Sequence, residues 1–206
     1  MAHETHMVSL GFTPQPFPEG VHICQIYSDD DERLNSLLEF LTSGLAAGEK
    51  AACFTEKLDD THLDAYLADH GLCCEQLKAS GALTKSGTRD VYFQGGCFDP
   101  DRMLGLLQKY HEDSVADGYP AARVIGEMTS NIDSIPGGSR LMEYESRVSL
   151  LLKDHPVTAV CQYDANAFDG ATIMKILKVH PLMVVRGAVV HNPYYVQPEE
   201  FLAHQC

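Results

Sequence analysis

The sequence predicts an α/β fold, a three-layer sandwich in which a mainly parallel central sheet is covered by helices on both faces. Short apolar runs alternate along the chain with longer stretches of helical periodicity, and this alternation is typical of parallel strands joined by crossover helices. The 206 residues also suffice for one substantial domain of this kind. They are too few for a sensor, a kinase and a DNA-binding module together.

The first unit of the alternation is the strand "VHICQIY" at 21–27, followed by a helix. Ser28 and Asp29 are suitable N-terminal caps, the acidic residues after them favour a helix N-terminus, and Gly48 suits its C-terminal end. The helix has one apolar stripe, formed by Leu34, Leu37, Leu38 and Leu41. A strand followed by a helix is therefore predicted here.

The pattern then repeats twice. Residues 50–56 read as a strand, and 58–71 as a helix that ends at a glycine. Residues 88–96, "TRDVYFQGG", give a weaker strand signal. The helix predicted over 99–118 opens with an aspartate cap and a proline at its first helical position.

The second half of the chain completes the alternation. The remaining predicted elements are strands at 122–128, 157–164 and 182–190 and helices at 140–155 and 170–180. The three most continuous apolar runs, 21–27, 122–128 and 157–163, are predicted to be interior strands. Residues 1–17 are expected to be a flexible N-terminal segment, and residues 18–206 a single domain.

Composition excludes several classes of function. The chain has 29 acidic and 15 basic residues and a formal charge of −14, which disfavours nucleic acid as a partner. No apolar run is long enough to span a bilayer, and the N-terminus lacks the pattern of a signal peptide. The seven cysteines have no repeating spacing and are expected to be reduced thiols. We therefore expect a cytoplasmic protein without a membrane partner.

Familiar catalytic motifs are missing from the sequence. It contains no GxxxxGK[ST] phosphate loop, and the turn after the first strand is "SDDDE", whose carboxylates would repel a triphosphate. GxSxG, GxGxxG and CxxC are also absent. The sequence thus predicts a binding module, not an enzyme, and it specifies no cofactor.

Residues suited to chemistry are concentrated on two of the predicted strands. Alternation places His22 and Cys24 on one face of the first strand, and Cys161 and Tyr163 on one face of a later strand. The segments "CQIY" and "CQYD" echo each other. Two interpretations of these residues remain open, a functional site and an ordinary part of the core, because buried cysteine and histidine are also common core residues.

A second group of candidates lies where predicted strands end. Tyr27, Glu127, Tyr163 and Asp164 would meet at the carboxyl edge of a parallel sheet, where such sheets bind ligands. Glu127 could equally serve as an N-cap partner. His180, which precedes a proline, could simply end a helix.

Five motifs in this order resemble the MEDS domain, a methanogen/methylotroph DcmR-type sensory domain. They are "HICQIY", "EYESRVSLLL" at 143–152, "CQYD", "HPLMVV" at 180–185 and "NPYY" at 192–195. The resemblance covers about residues 18 to 196. It implies a RecA/KaiC-like core without a P-loop that senses simple hydrocarbon or one-carbon derivatives.

The resemblance also implies functional positions. The family's histidine and cysteine positions fall on His22, Cys24 and Cys161, with His180 in the HP motif. We expect the domain to carry no fused DNA-binding or kinase segment and to pass its signal to a partner such as a histidine kinase or a transcription factor. The segment "GEMTSN" departs from the family by lacking an aromatic residue, which puts one wall of the pocket in question.

Three functions are carried forward from the sequence. The first is a sensory domain that binds a small organic molecule, with residues 129–139 as the candidate mobile element and a homo-oligomer as a compatible state. The second is a metal or haem sensor that uses His22 with Cys24 or Cys161. The third is a degenerate RecA-like nucleotide-binding protein with Glu127 in the position of a catalytic carboxylate.

Overall fold

The computed structural model describes residues 6–204, and its centre is a seven-stranded sheet. A short N-terminal pair of strands precedes this sheet. The strands are β1 (Met7–Ser9), β2 (Pro16–Pro18), β3 (His22–Tyr27), β4 (Lys50–Phe54), β5 (Leu83–Ser86), β6 (Ala122–Glu127), β7 (Val157–Asp164), β8 (Leu182–Val185) and β9 (Ala188–His191).

The sheet has the order β5-β4-β6-β7-β3-β8-β9. Every neighbouring pair in it is parallel except β8 and β9, which are antiparallel. The predicted parallel sheet is therefore confirmed. The three strands predicted to be interior, β3, β6 and β7, do lie between other strands.

Helices cover both faces of the sheet, as the sequence predicts. They are α1 (Asp30–Ala46), α2 (Asp60–Asp69), α3 (Cys74–Ala79), α4 (Thr88–Tyr92), α5 (Pro100–Ala116), α6 (Leu141–Leu151), α7 (Gly170–Val179) and α8 (Pro198–Ala203). Helix α1 begins as expected, since the Asp29 carboxylate accepts a hydrogen bond from the Glu32 amide at 2.9 Å.

Two apolar cores separate the layers. On the first face, buried leucines of α1 and α2, such as Leu41 and Leu63, pack with Ile23 and Ile125 of the sheet. On the second face, the sheet packs against helices α5, α6 and α7. The main members of this core are Met103, Leu107, Tyr144, Val148 and Ile176. We call these the α1 face and the α6 face.

The register of the two central strands determines what lies on the α6 face. Cys24 pairs with Cys161, and His22 pairs with Ala159. Side chains alternate along each strand, so His22, Cys24 and Cys161 lie on the α6 face, while Tyr27 lies on the other. The sheet thus separates candidates that are neighbours in sequence.

The prediction of a strand at 88–96 is wrong. Residues Thr88–Tyr92 form α4, and Gln94–Gly96 form a 3-10 turn. Strand β4 pairs with β6 on one side and, on the other, with β5, which precedes this segment. Because that edge is already occupied, residues 88–96 are free to fold over the carboxyl edge of the sheet, where the Thr88 hydroxyl donates to the Glu127 carbonyl at 3.2 Å.

The single strand predicted at 182–190 is two strands. Arg186 and Gly187 have φ values of 51° and 75° and form the two-residue turn between β8 and β9. Positive φ at both turn positions matches the twist of a tight hairpin. The apolar run is therefore continuous in sequence but reverses direction in space.

The expectation of a flexible segment at 1–17 is corrected for the residues that the structure describes. Strand β1 pairs with β2, and Val8 and Leu10 are buried in the core beside α1. Gly11 has a φ of 79°, and a Cβ there would collide with the Glu39 carbonyl of α1. Residues 1–5 lie outside the described part of the chain.

Candidate functional site

A group of polar side chains converges inside the α6 face. Glu145 Oε2 lies 3.3 Å from His22 Nε2 and 3.6 Å from His180 Nε2. Cys161 Sγ lies 3.6 Å from His22 Nε2 and 3.7 Å from Glu145 Oε2. Tyr163 donates its hydroxyl hydrogen to Glu145 Oε1 at 2.7 Å. We call these five residues the buried cluster.

Four elements position the buried cluster. His22 is the first residue of β3, and Cys161 and Tyr163 lie on the same face of β7. Glu145 stands on the buried side of α6, between Leu141 and Val148 in a helical stripe. His180 follows the last residue of α7.

Hydrogen bonds from outside the group orient both imidazoles. His180 Nδ1 lies 2.8 Å from the Ile176 carbonyl. His22 Nδ1 lies 2.9 Å from the Ser149 hydroxyl, which in turn is 3.4 Å from the Val179 carbonyl. Each ring therefore directs its Nε2 towards Glu145.

Burial dominates the protonation of the cluster. It opposes ionisation of Glu145, but the nearby His22, His180 and Tyr163 together outweigh it and lower the pKa of this carboxyl below its usual value. Burial and the nearby His22 lower the pKa of His180 to about 3. Burial and the Glu145 charge raise the pKa of both Cys161 and Tyr163 well above their usual values. At neutral pH the cluster thus holds a carboxylate, a neutral His180 and an un-ionised thiol.

An apolar cavity of about 300 Å³ adjoins the cluster. It lies between the sheet and helices α4, α5 and α6, and Cys161 forms part of its wall. Its other lining residues include Phe54, Tyr92, Met103, Leu107, Tyr110, Val124, Tyr144, Val148 and Ala159. Cys161 is therefore shared between the polar cluster and the cavity.

A second polar group lies at the carboxyl edge of the sheet. Glu127 Oε1 accepts from the Tyr27 hydroxyl at 2.7 Å and lies 2.8 Å from Lys57 Nζ. Glu127 Oε2 accepts from the Thr55 hydroxyl at 3.0 Å. We call Tyr27, Thr55, Lys57 and Glu127 the edge cluster.

Carboxylates outnumber the cation around Lys57. Its Nζ also lies 3.6 Å from Asp30 and 3.9 Å from Asp164. Partial burial disfavours the charge on Lys57, but its hydrogen bonds with Glu127 and Tyr27 outweigh this and raise its pKa. Burial and the hydrogen bond to Glu127 raise the pKa of Tyr27. Lys57 is therefore held among carboxylates at this edge, an arrangement that disfavours a phosphate group.

The structure divides the residues that the sequence singled out. His22, Cys161, Tyr163 and His180 come together, whereas Tyr27 and Glu127 belong to the edge cluster. Cys24 lies opposite Cys161, but its thiol donates to the Leu182 carbonyl at 3.6 Å, and burial raises its pKa to about 12.

Sequence reasoning missed three members of these clusters, namely Glu145, Thr55 and Lys57. It also missed Ser149, which orients His22 from outside the buried cluster. Glu145 had a detectable signal, because it occupies position i+4 from Leu141 inside an apolar helical stripe, where a carboxylate is costly. Its relative exposure is 1%. Lys57 follows a predicted strand and carries no comparable signal.

The family comparison adds to this geometry. A family model of the methanogen/methylotroph DcmR sensory domain, MEDS, matches residues 21–181. The chain belongs to the MEDS family. The resemblance identified in the sequence is confirmed, and the matched range contains both clusters. Membership of a sensory family supports a role in signalling for this MEDS domain.

Solved structures show the same fold. The MEDS domain superposes on the flagellar accessory protein FlaH from Methanocaldococcus jannaschii with a TM-score of 0.58 at 11% identity, covering 90% of this chain and 84% of the other. A KaiC-like protein from Pyrococcus horikoshii gives a TM-score of 0.57 at 14% identity, covering 87% and 79%. The fold is therefore RecA/KaiC-like.

No curated protein matches the sequence significantly. Within residues 6–204, none of the helices has the length and apolar character that crossing a bilayer would require.

Proposed function

We propose that this MEDS domain is a binding module, not an enzyme, that senses a small organic molecule in the cavity beside Cys161. The observation that carries the proposal is the apolar cavity itself, about 300 Å³ in volume and bounded by the sheet and helices α4 to α6. Ligand pockets start at about this size. The occupant is therefore small.

The chemistry of the wall indicates the class of ligand. Most of the lining is apolar, contributed by side chains such as Leu107, Val124 and Val148. The residues with polar groups at the wall include Cys161, Tyr92 and Tyr144, and also Asp90, Gln94 and Arg102. An apolar wall with few polar atoms suits a simple hydrocarbon or a one-carbon derivative.

The cavity wall also offers a route for the signal. Residues of α4 and α5 line the cavity, and the adjoining segment Phe93–Phe98 packs on the loop at 129–139, where the Phe98 amide donates to the Pro136 carbonyl at 2.8 Å. A ligand shifts a conformational equilibrium only by binding its states unequally. Occupancy that repositions α4 would alter this loop, which we propose as the contact for a signalling partner.

The partner is proposed to be a protein such as a histidine kinase or a transcription factor. The net charge of −14 disfavours direct binding to nucleic acid by this domain. A cationic surface on the partner would complement it.

Ligand binding can be tested by NMR chemical-shift mapping. Purified protein is titrated with dichloromethane, methanol, methylamine and, as an apolar size probe, benzene. We expect at least one compound to shift resonances of cavity residues such as Val124 and Ala159 in a saturable manner. The absence of any saturable shift across the panel would overturn the proposal.

A matched pair of variants locates the site. Leu107→Trp fills the cavity and should abolish the saturable shifts. Val115→Trp introduces the same side chain on the same helix at a position that is 62% exposed, and it should bind as the unmodified protein does. Equal binding by the two variants would place the ligand outside the cavity.

A further inference from the structure

We propose that His22, Glu145, Cys161 and His180 form a binding site for one divalent transition-metal ion of the zinc type. Each residue offers one ligand atom, and these four atoms lie within 4.8 Å of one another. The site differs from the metal site considered on sequence grounds, because Glu145 and His180 take part and Cys24 does not. It does not depend on the cavity ligand proposed above.

The orientation of His180 is the first argument. Its Nδ1 is 2.8 Å from the Ile176 carbonyl, and a carbonyl only accepts, so Nδ1 carries the hydrogen. Nε2 then has a lone pair, is fully buried and has no hydrogen-bond partner among residues 6–204. This lone pair faces Glu145 Oε2 at 3.6 Å. Two electron-rich atoms in that position need a cation or a proton between them.

His22 presents its lone pair in the same direction. Its Nδ1 lies 2.9 Å from the Ser149 hydroxyl, and that hydroxyl can direct its own hydrogen to the Val179 carbonyl at 3.4 Å. The hydroxyl oxygen is then free to accept from Nδ1–H, which leaves the lone pair on Nε2. Both imidazoles are therefore held in the tautomer of a metal ligand.

The carboxylate is oriented in a comparable way. Tyr163 donates to Glu145 Oε1 at 2.7 Å, which leaves Oε2 to face the imidazoles and the thiol. Metal sites commonly hold each ligand through such an outer hydrogen bond, which fixes its orientation. Here Ser149, the Ile176 carbonyl and Tyr163 have that role.

The spacing of the four atoms fits a tetrahedral ion. Four of the six separations are 3.3, 3.6, 3.6 and 3.7 Å, and the other two are no more than 4.8 Å. Zinc bonds of about 2.0–2.1 Å to nitrogen or oxygen and about 2.3 Å to sulfur place tetrahedral ligand atoms about 3.3–3.6 Å apart. An ion could therefore enter with small side-chain adjustments.

Hydrogen bonds alone, without a metal ion, leave one buried polar atom of the cluster without a partner. A protonated His22 and the Cys161 thiol can both donate to Glu145 Oε2, at 3.3 and 3.7 Å. That arrangement leaves the buried lone pair of His180 directed at the same carboxylate, a costly defect in a core. A metal ion satisfies all four atoms together.

The donor set selects the type of metal. Imidazole and thiolate ligands favour zinc and its neighbours, whereas magnesium and calcium prefer sites built of oxygen alone. Four protein ligands also describe a closed site with a structural role. Binding would release the Cys161 proton, because the thiolate is the ligand.

The test uses the full chain, stripped with a chelator and titrated with Zn²⁺ or Co²⁺ alone. We expect one equivalent of zinc by elemental analysis after gel filtration and a rise in melting temperature. Co²⁺ should produce a thiolate-to-metal charge-transfer band and the visible bands of tetrahedral cobalt. The absence of stoichiometric binding by the unmodified protein would overturn the proposal.

Variants assign the ligands. Cys161→Ser should remove the charge-transfer band, and His180→Gln should weaken zinc binding by at least about 10- to 100-fold. Cys24→Ser is the matched control, since Cys24 is buried on the neighbouring strand directly opposite Cys161, and it should keep both the band and the affinity. A band that survives Cys161→Ser would exclude this site.

A milder variant covers the case in which a ligand substitution fails to fold. Ser149→Ala removes only the acceptor that orients His22 and should weaken zinc binding by about 10- to 100-fold with retention of one equivalent. Unchanged affinity in folded Ser149→Ala would contradict the inferred orientation of His22, and with it the site.

Discussion

In the edge cluster both oxygens of Glu127 meet donors, from Tyr27 and Lys57 on one side and from Thr55 on the other. In the buried cluster Glu145 Oε2 instead faces two imidazole nitrogens and a thiol. Each cluster centres on its own glutamate, and the two clusters lie on opposite faces of the same sheet. Only the edge cluster contains its own permanent cation.

This difference is the basis on which we propose a metal site in the buried cluster and a structural role for the edge cluster. The ion pairs and hydrogen bonds of the edge cluster stabilise the fold. In the buried cluster the lone pair of His180 Nε2 faces the Glu145 carboxylate with no donor between them, and a proton or an ion placed there would satisfy both atoms. The residues that the sequence marked as chemically suggestive are found in both clusters, so residue type alone did not distinguish them.

The largest expected effect is that of Glu145→Ala in metal-free protein. The change leaves His22, Cys161 and Tyr163 without their acceptor inside the core, which should lower the free energy of unfolding by about 3–5 kcal/mol. Urea denaturation at pH 7 measures it. Glu143→Ala, on the same helix but paired with Arg140 and Arg147 near the surface, should cost less than about 1 kcal/mol. Similar losses for the two variants would contradict the burial argument.

Glu127→Ala should cost less than Glu145→Ala, about 1 to 2 kcal/mol. Tyr27 and Thr55 lose an acceptor, but the Lys57 side chain is 41% exposed and can turn towards water. The same urea measurement gives the ratio of the two effects. If Glu127→Ala proved as destabilising as Glu145→Ala, the two clusters would not differ in the way described.

Alkaline pH should weaken the edge cluster. The folded-state pKa values of Lys57 and Tyr27 are both raised, so the folded state holds these protons more tightly than the unfolded state does. The contribution of these two protons to the free energy of unfolding is complete below the unfolded-state pKa values of about 10. It is lost as the pH rises through the folded-state pKa values. The double variant Tyr27→Phe/Lys57→Met should therefore lose stability less steeply above pH 10. Urea denaturation at several pH values gives the free energy of unfolding as a function of pH. Identical slopes of this free energy against pH for the variant and the unmodified protein would refute the prediction.

The smallest expected effect is that of Mg-ATP, which we expect not to bind. Asp30, Glu127 and Asp164 all lie within 4 Å of Lys57 Nζ, and the sequence has no phosphate loop. Isothermal titration calorimetry should show no saturable heat. Micromolar affinity would show that the edge cluster opens to admit phosphates, which would remove its contrast with the buried cluster.

The order and type of most elements could be predicted from the sequence because their signals are local. Caps and stripes located α1, α2, α5, α6 and α7, and continuous apolar runs located β3, β6 and β7. The failures occurred where tertiary contacts decide. The segment 88–96 has the composition of a strand, but β5 already occupies the position beside β4.

The candidate site was predictable in part. Strand alternation correctly put His22 and Cys24 on one face, and the sequence echo drew attention to Cys161. It could not reveal that Glu145 lies 3.3 Å from His22, because these residues are far apart in the chain and their separation depends on how α6 packs on the sheet.

By itself, then, the sequence determined the alternation of strands and helices, the absence of a phosphate loop and the family, since all three depend on residue types at short spacings. The tertiary structure alone decided which polar residues meet. Register and helix packing act over long sequence separations, and they bring His22, Glu145, Cys161 and His180 to one point while directing Tyr27 and Glu127 to another. Distances between side chains, and therefore the chemistry available to them, follow from that packing.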